Sequence, residues 1–266
     1  DTPVSFCGVN NHDVSLIKER MPRISGVVEV LDIDATLDLA LELHPDKTQV
    51  AVVVDGTPTG VGQLRDIKAA ARQYRNVRFR YLKGQNLSHE QLFNQLRSLP
   101  EHSIVLLAVW LRDKNDEYLS PSEGGRRIAQ NAPVPVYGLI DMYFGHGIIG
   151  GQLLNSETHG RIAAEKAVQL IKGRKTSDVP IVRASTNPYM FDYEQLARWG
   201  IDREELPQKS IIINQPFSFY EAYKGLIAAV GLAFLLLLTV VVFLSFTIVQ
   251  RKKAEKRLST SEEKFR

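Results

Sequence analysis

Residues 48–60 read TQVAVVVDGTPTG, and the fold follows from how this stretch is taken. Thr48–Val54 is apolar almost throughout and does not alternate, which predicts a parallel strand covered on both faces rather than a half-exposed one. Asp55-Gly56-Thr57-Pro58-Thr59-Gly60 then supplies turn chemistry and leads into a helix. The apolar spacing of Val61, Leu64, Ile67, Ala71 and Tyr74 marks the inner face of that helix.

The same unit repeats toward the carboxyl end. Val77–Leu82 is a strand, and the capping box Ser88 to Gln91 opens a helix. Ile104–Val109 is another apolar strand, and Ser120-Pro121-Ser122-Glu123 combines an N-cap, a first-turn proline and a third-position glutamate ahead of a helix to Asn131. Strand Val134–Ile140, a long loop Asp141–Leu154, a helix Ser156–Lys172 closed by Gly173, and strand Ile181–Ala184 complete the series. Toward the amino end, Pro3–Val9 is a strand emptying into Asn10-Asn11-His12-Asp13. Val27–Ile33 is a second strand, and Asp34 caps a helix carrying Leu37, Ala40, Leu41 and His44 that Pro45 ends. Strands joined by single helices imply an α/β fold with right-handed crossovers and ligands outside the strand carboxyl ends.

A second feature stands apart. Residues 225–249, GLIAAVGLAFLLLLTVVVFLSFTIV, contain no charge and predict one transmembrane helix, since about 20 apolar residues cross a hydrocarbon core. Arg251, Lys252, Lys253, Lys256 and Arg257 follow directly, whereas Lys224 alone precedes closely, so the carboxyl end is expected in the cytoplasm. Phe217, Phe219, Tyr220 and Tyr223 suit an aromatic belt on the other side, and residues 1–216 are expected outside the inner membrane, periplasmic or extracellular.

The formal charge of +3 conceals this asymmetry, because residues 251–266 hold seven Lys or Arg against three Glu and leave the remainder near −1. A near-neutral outer part argues against nucleic-acid binding, and the basic cluster reads as a topology signal in contact with lipid headgroups. Cys7 is the single cysteine, which excludes an intrachain disulfide and predicts a small buried core residue. The chain opens at Asp1 without an initiator Met and closes at Arg266 as a new element begins, so further segments are expected on both sides.

Candidate ligand-binding residues come from the loops at the strand ends. Asp55, Thr57, Thr59 and Gly60 lie between a buried strand and a helix amino terminus, where N–H groups favour a ligand carboxylate or phosphate; a tight turn with an N-cap fits them equally. Asp141 follows a strand and suits a ligand ammonium, with Met142, Tyr143 and Phe144 as apolar walls, or else it is a capping aspartate over buried aromatics. Trp110 suits either ring stacking or core packing, and Asn10 and Asn11 suit either hydrogen bonding or a plain turn. His44, His89, His102, His146 and His159 have no metal-ligand spacing and read as surface or helix histidines. There is no GxSxG, no Walker loop and no GxGxxG opening a helix, so neither catalysis nor a cofactor is expected of these residues.

From Pro3 onward, the strand order, the ELHPDKTQVAVVVD junction and GRIAAEKAVQLIKGRKTSDVPI resemble periplasmic substrate-binding proteins of one ABC-transporter family, with a type I periplasmic binding fold. MFDYEQLARWGIDREELPQKSIIINQPFSFYEAYK resembles the membrane-proximal segment of bacterial transmembrane sensors that carry this domain, which are sensor histidine kinases or diguanylate cyclases; Lys209 stands where that pattern has Gly. RLSTSEEKFR resembles the entry to a PAS domain, with Ser259 to Glu262 or Thr260 to Glu263 as a capping box.

The resemblance implies a two-lobed sensor domain over residues 1–216. One lobe, lacking its opening strands, comprises 1–45 with 141–185, the other comprises 46–140, and a membrane-proximal segment covers 186–216. Residues 217–250 are then the transmembrane helix with its aromatic flank, and 251–266 a signalling linker with the start of a PAS domain. It further implies a small-molecule ligand such as an amino acid, a homodimer, a downstream response regulator and output chemistry beyond residue 266. A membrane-anchored substrate-binding component of an ABC transporter is the alternative, and a tethered hydrolase lacks the residues it needs.

Overall fold

The computed structural model describes residues 2–10, 14, 17, 19, 23–217 and 219–264, and the chain divides into two units, residues 1–215 and 216–266. In the first unit, Val4–Asn10 (β1) and Ile24–Glu29 (β2) pair in parallel, with one extra residue on β1 between Phe6 and Val9. Gly26 sits at φ +150°, where a Cβ would lie 2.2 Å from the Phe6 carbonyl oxygen, so this close crossing requires glycine. Cys7 falls in the bulge and is exposed rather than buried, because the bulge turns it out of the strand alternation. Asn11, His12 and Asp13 lie outside the described residues.

The second strand ends earlier than expected, and Ile33–Leu43 forms a helix (α1). Asp32, not Asp34, holds the N-cap position, and its side chain caps nothing because it is committed elsewhere. Gln49–Val54 (β3) is buried at all six residues, and Thr57 caps the following helix Pro58–Ala70 (α2) through Gly60 N–H. On α2 the buried side chains are Gln63 and Ile67, whereas Val61 is 47% exposed, which corrects the expected inner face by a fraction of a turn.

Arg78–Lys83 (β4), His89–Arg97 (α3), Ser103–Val109 (β5), Pro121–Asn131 (α4) and Val136–Gly138 (β6) follow. The expected capping box at Ser88 and Gln91 is formed in both directions, and Ser120 accepts from Glu123 N–H. These strands make a parallel sheet in the order β4-β3-β5-β6. Its two faces carry separate cores. Val50, Val52 and Val54 pack with Leu37 and Ala40 of α1 and Ile67 of α2, while Ala51 and Val53 pack with Leu92 and Leu96 of α3 and Ile128 of α4. The period of two within an unbroken apolar run divides β3 between both faces, each buried aliphatic side chain contributing about 1.5 to 3 kcal/mol. Residues 33–43, grouped by sequence with the first lobe, thus pack on the four-stranded sheet.

The expected loop after residue 141 holds a short 3-10 turn at Asp141–Tyr143 and the strand Gly150–Gln152 (β7) before helix Ser156–Ile171 (α5). Tyr189–Asp192 (β8) pairs antiparallel with β7 and parallel with Ile211–Ile213 (β9), and Tyr193–Trp199 (α6) lies between them, ended by Gly200 in the left-handed region. Ile181–Ala184 is not a strand; Val182 alone bridges Val27.

The second unit is one helix, Phe219–Lys264 (α7), of which Tyr223–Ala254 is long and apolar enough to cross a membrane. Thr239 and Thr247 return their hydroxyls to the carbonyls of Leu236 and Phe243, the arrangement a polar side chain needs in hydrocarbon. The backbone stays helical through residues 259–264, so neither Ser259 nor Thr260 starts a new helix there.

Candidate functional site

The strand order reverses direction between β3 and β5, since the chain leaves β3 for β4 on one side and β5 for β6 on the other. Their helices also lie on opposite faces, with α2 in one core and α4 in the other. In an open α/β sheet this switch point outside the strand carboxyl ends is where ligands bind.

Asp55 stands at that switch point, directly after β3. It is 2% exposed; Oδ1 accepts from Thr57 N–H at 3.0 Å and Thr57 Oγ1 at 2.6 Å, and Oδ2 accepts from Leu111 N–H at 2.9 Å. Its carboxylate therefore ties the end of β3 to the end of β5. Gly60 lacks room for a side chain, as a Cβ would meet Asp55 Oδ1 at 2.3 Å. The anion-binding potential of the α2 terminus is largely consumed: Thr57 Oγ1 holds Gly60 N–H, Asp55 holds Thr57 N–H, and Pro58 has none. Gly56 and Thr59 are exposed at the rim.

Trp110 and Tyr143, two candidate ligand contacts, are both fully buried. Tyr143 Oη accepts from Trp110 N–H at 2.7 Å, and burial pushes the phenol well above its ordinary pKa. Trp110 Nε1 donates to His89 Nδ1 at 2.9 Å. An indole nitrogen only donates, so His89 carries its proton on Nε2 and gives it to the Glu117 carbonyl at 3.0 Å. His89, Asp113 and Glu117 lie close enough to hold a cation. Their present partners make them a brace instead: Asp113 accepts from the N–H groups of His89, Asn115 and Glu117. Burial raises the Asp113 carboxyl, but these three N–H groups outweigh it and hold the group below the usual range.

Asp141 stands apart from this network. Its Oδ2 accepts from Asn155 Nδ2 and Ser156 N–H and its Oδ1 from Ser156 Oγ, at 2.8 to 3.1 Å, so its carboxylate closes the amino end of α5 and is half-exposed. Asn10 ends β1 opposite Glu29, and Asn11 lies outside the described residues. The structure thus joins Asp55, Thr57 and Gly60 in one bonded group and Trp110 with Tyr143 in a second beside it, and places Asp141 in neither.

Two features escaped the sequence. One is a polar knot at the crossings between the β1-β2 sheet and the rest: Asn187 Nδ2 donates to the Val30 carbonyl and to Asp32 Oδ2, both at 2.7 Å, and Ser185 Oγ donates to Asp32 Oδ2 at 2.5 Å. His159 and His44, read from the sequence as surface or helix histidines, lie in α5 and at the end of α1 and are buried, His159 beside Asn187 and His44 against Tyr137 Oη at 3.0 Å. The other is the pairing of Arg112 with Tyr118, which bridge across the base of the arm 111–119, within a loop expected at a strand carboxyl end, and stay exposed. Only Ser185 and Asn187 ahead of Pro188 hinted at the knot, as turn residues.

No family model matches this chain, and no curated protein matches it in sequence. Solved structures do match in fold. A ligand-free, open substrate-binding protein with adhesive properties from Clostridium difficile has a TM-score of 0.61 at 16% identity, over 81% of this chain and 72% of that one. An ABC domain from Streptococcus pneumonia in complex with L-Trp has a TM-score of 0.55 at 15% identity, over 71% and 63%. A conserved domain protein from Vibrio cholerae O1 biovar eltor has a TM-score of 0.57 at 15% identity, over 79% and 71%. The chain therefore has the α/β fold of substrate-binding proteins, with parallel sheets, followed by one long apolar helix.

Proposed function

We propose that residues 1–215 bind a small zwitterionic ligand, such as an aromatic amino acid, at the switch point between β3 and β5, and that the chain is the sensing part of a membrane-bound bacterial signalling protein. The observation that carries the ligand reading is the reversal of strand order, at which Asp55, Thr57 and the loop after Val109 meet, in a fold shared with a domain that holds L-Trp. Thr57, Thr59 and Gly56 form the rim on one side of this proposed site.

In this reading the lobes close on ligand about the knot of Asp32, Ser185 and Asn187, and α7 crosses the inner membrane with its basic end in the cytoplasm. Residues 1–216 are then periplasmic or extracellular, the protein acts as a homodimer, and a PAS domain with kinase or cyclase output and a response regulator lie downstream. A second reading, a membrane-anchored substrate-binding component of an ABC transporter, is favoured by the substrate-binding proteins among the fold relatives.

Thermal melting of the full chain in detergent against a panel of amino acids tests ligand binding. A ligand at 100 times its dissociation constant adds about 2.7 kcal/mol of stability, and an unmoved melting temperature across the panel would refute small-molecule recognition. A disulfide engineered between the lobes of the full-length protein separates the two roles, because a sensor so locked loses ligand-dependent output whereas a transporter component loses uptake.

A further inference from the structure

The candidate anion partners read from the sequence are occupied from within, by Asp55 and Thr57 at the amino end of α2, so a ligand carboxylate needs another cation at the same edge. Arg112 is such a cation. Its neighbour Leu111 is held by Asp55, and its carbonyl oxygen lies where a Cβ on Gly84 would be only 2.8 Å away, so the arm is seated directly on the carboxyl ends of β3 and β4. The arm is stiff. Asp113 binds three backbone N–H groups, Lys114 N–H reaches the Leu87 carbonyl, and Leu119 N–H reaches the Leu111 carbonyl.

What this frame presents is a guanidinium and a phenol ring side by side. The Arg112 guanidinium carbon is 5.7 Å from the Tyr118 ring centroid, and the Tyr118 ring is 59% exposed. The Arg112 contacts to Asp116 leave from Nη1, at 3.0 Å to Oδ1 and 2.9 Å to the carbonyl, so among the described residues Nε and Nη2 remain for a second acceptor. The Asp116 side chain is 82% exposed, which makes its ion pair weak and exchangeable.

We propose that Arg112 and Tyr118 form the subsite for the carboxylate and ring of an aromatic carboxylate ligand, with Asp116 holding the guanidinium in place until the ligand carboxylate takes over. This rests on the ligand-binding reading above and assigns its anion contact. The guanidinium meets a carboxylate through paired N–H donors, and its flat face together with the exposed ring accommodates an aromatic body.

Isothermal titration of the full chain in detergent with L-tryptophan and with tryptamine, which lacks only the carboxylate, tests it. The wild type is expected to prefer L-tryptophan by tenfold or more, Arg112→Ala to abolish that preference, and Tyr118→Ala to weaken both ligands by a similar factor. Asp116→Asn, which frees the guanidinium, should tighten L-tryptophan a few-fold. Because all three side chains are exposed, the variants should melt like the wild type. A preference that survives Arg112→Ala overturns the subsite while leaving ligand binding intact; a wild type that binds neither compound overturns the subsite as well, and the ligand reading falls with it only where the amino-acid panel also leaves the melting temperature unmoved.

Discussion

Asn187 and Asp32, 155 residues apart in sequence, are joined by a hydrogen bond of 2.7 Å from Asn187 Nδ2 to Asp32 Oδ2. The same nitrogen donates to the Val30 carbonyl, and Ser185 Oγ also donates to Asp32, so two chain crossings are fastened at one carboxylate. Asn187 is 6% exposed and Val30 and Asp32 are half-buried, so water replaces only part of what its removal takes away. Asn187→Ala is expected to cost about 1.5 to 3 kcal/mol in denaturant unfolding. Asn187→Asp, which keeps the shape but sets two carboxylates together, should cost at least as much at pH 7 and recover part of the loss as the pH is lowered toward 4. Equal stability of Asn187→Asp and wild type at pH 7 would remove the knot from the account.

Two buried histidines give the fold a pH dependence of known sign. Burial lowers the pKa of His44, with Lys47 adding to the effect and Asp46 and Glu205 opposing it. Burial likewise lowers that of His159, against the opposing influences of Asn187 and Asp141. The unfolded chain therefore binds more protons than the folded one as the pH drops through the ordinary histidine value near 6.5. Their contribution is fully present above that value and is lost as the pH falls toward the depressed folded pKa of each group. Unfolding free energy should decline from pH 7 to pH 5, and the double variant His44→Gln, His159→Gln should flatten that slope; a slope unchanged by the double variant would place the titrating groups elsewhere.

Asp55 acts as a latch between two strand ends, and its role separates from that of Thr57 by magnitude. Thr57→Ala removes one helix cap and one hydroxyl from Asp55, an expected loss of about 1 kcal/mol. Asp55→Ala strands Leu111 N–H and Thr57 N–H in a half-buried setting and should cost about 2 to 3 kcal/mol. Chemical denaturation of both variants checks the order. If Asp55→Ala proved the milder of the two, the bond to Leu111 would contribute little.

The strands with unbroken apolar runs, Gln49–Val54 and Ser103–Val109, were legible because burial on both faces leaves no other reading of such sequences. The caps at Ser88 and Ser120 were legible because their partners lie three residues away. What failed depended on distant partners. Gly150-Gly151 carries no side-chain signal, yet a Cβ on Gly150 would sit 1.9 Å from the Met190 carbonyl, so β7 exists only because glycine admits β8. Asp34 and Asp32 are equivalent as N-cap candidates until Asn187 is placed. Asp55 and Asp141 both sit in carboxyl-end loops, and the sequence left each open between ligand contact and turn; tertiary partners, Leu111 and Ser156, commit both carboxylates internally. Arg112 and Tyr118 carry no sequence signal, because their proximity arises from the arm closing on itself.

Lys209 shows how a departure from a familiar pattern acquires a physical cost. The stretch 190–224 it belongs to resembles one that has glycine at this position, and in the structure Lys209 lies at φ +67°. A left-handed conformation brings Cβ against the following carbonyl oxygen and costs about 1 to 2 kcal/mol for an ordinary residue, whereas glycine adopts it freely. Glycine also gives up more chain entropy on folding, roughly 0.5 to 1 kcal/mol, which offsets part of the gain. Lys209→Gly should therefore stabilise the fold by about 0.5 to 1 kcal/mol, visible as a raised denaturation midpoint, and Lys209→Val should destabilise it, because branching at Cβ aggravates the same contact. The two variants must move in opposite directions: a Lys209→Gly protein weaker than wild type would mean that the turn Pro207–Ser210, closed by Ser210 Oγ on the Pro207 carbonyl, draws its stability from the lysine side chain rather than from its backbone.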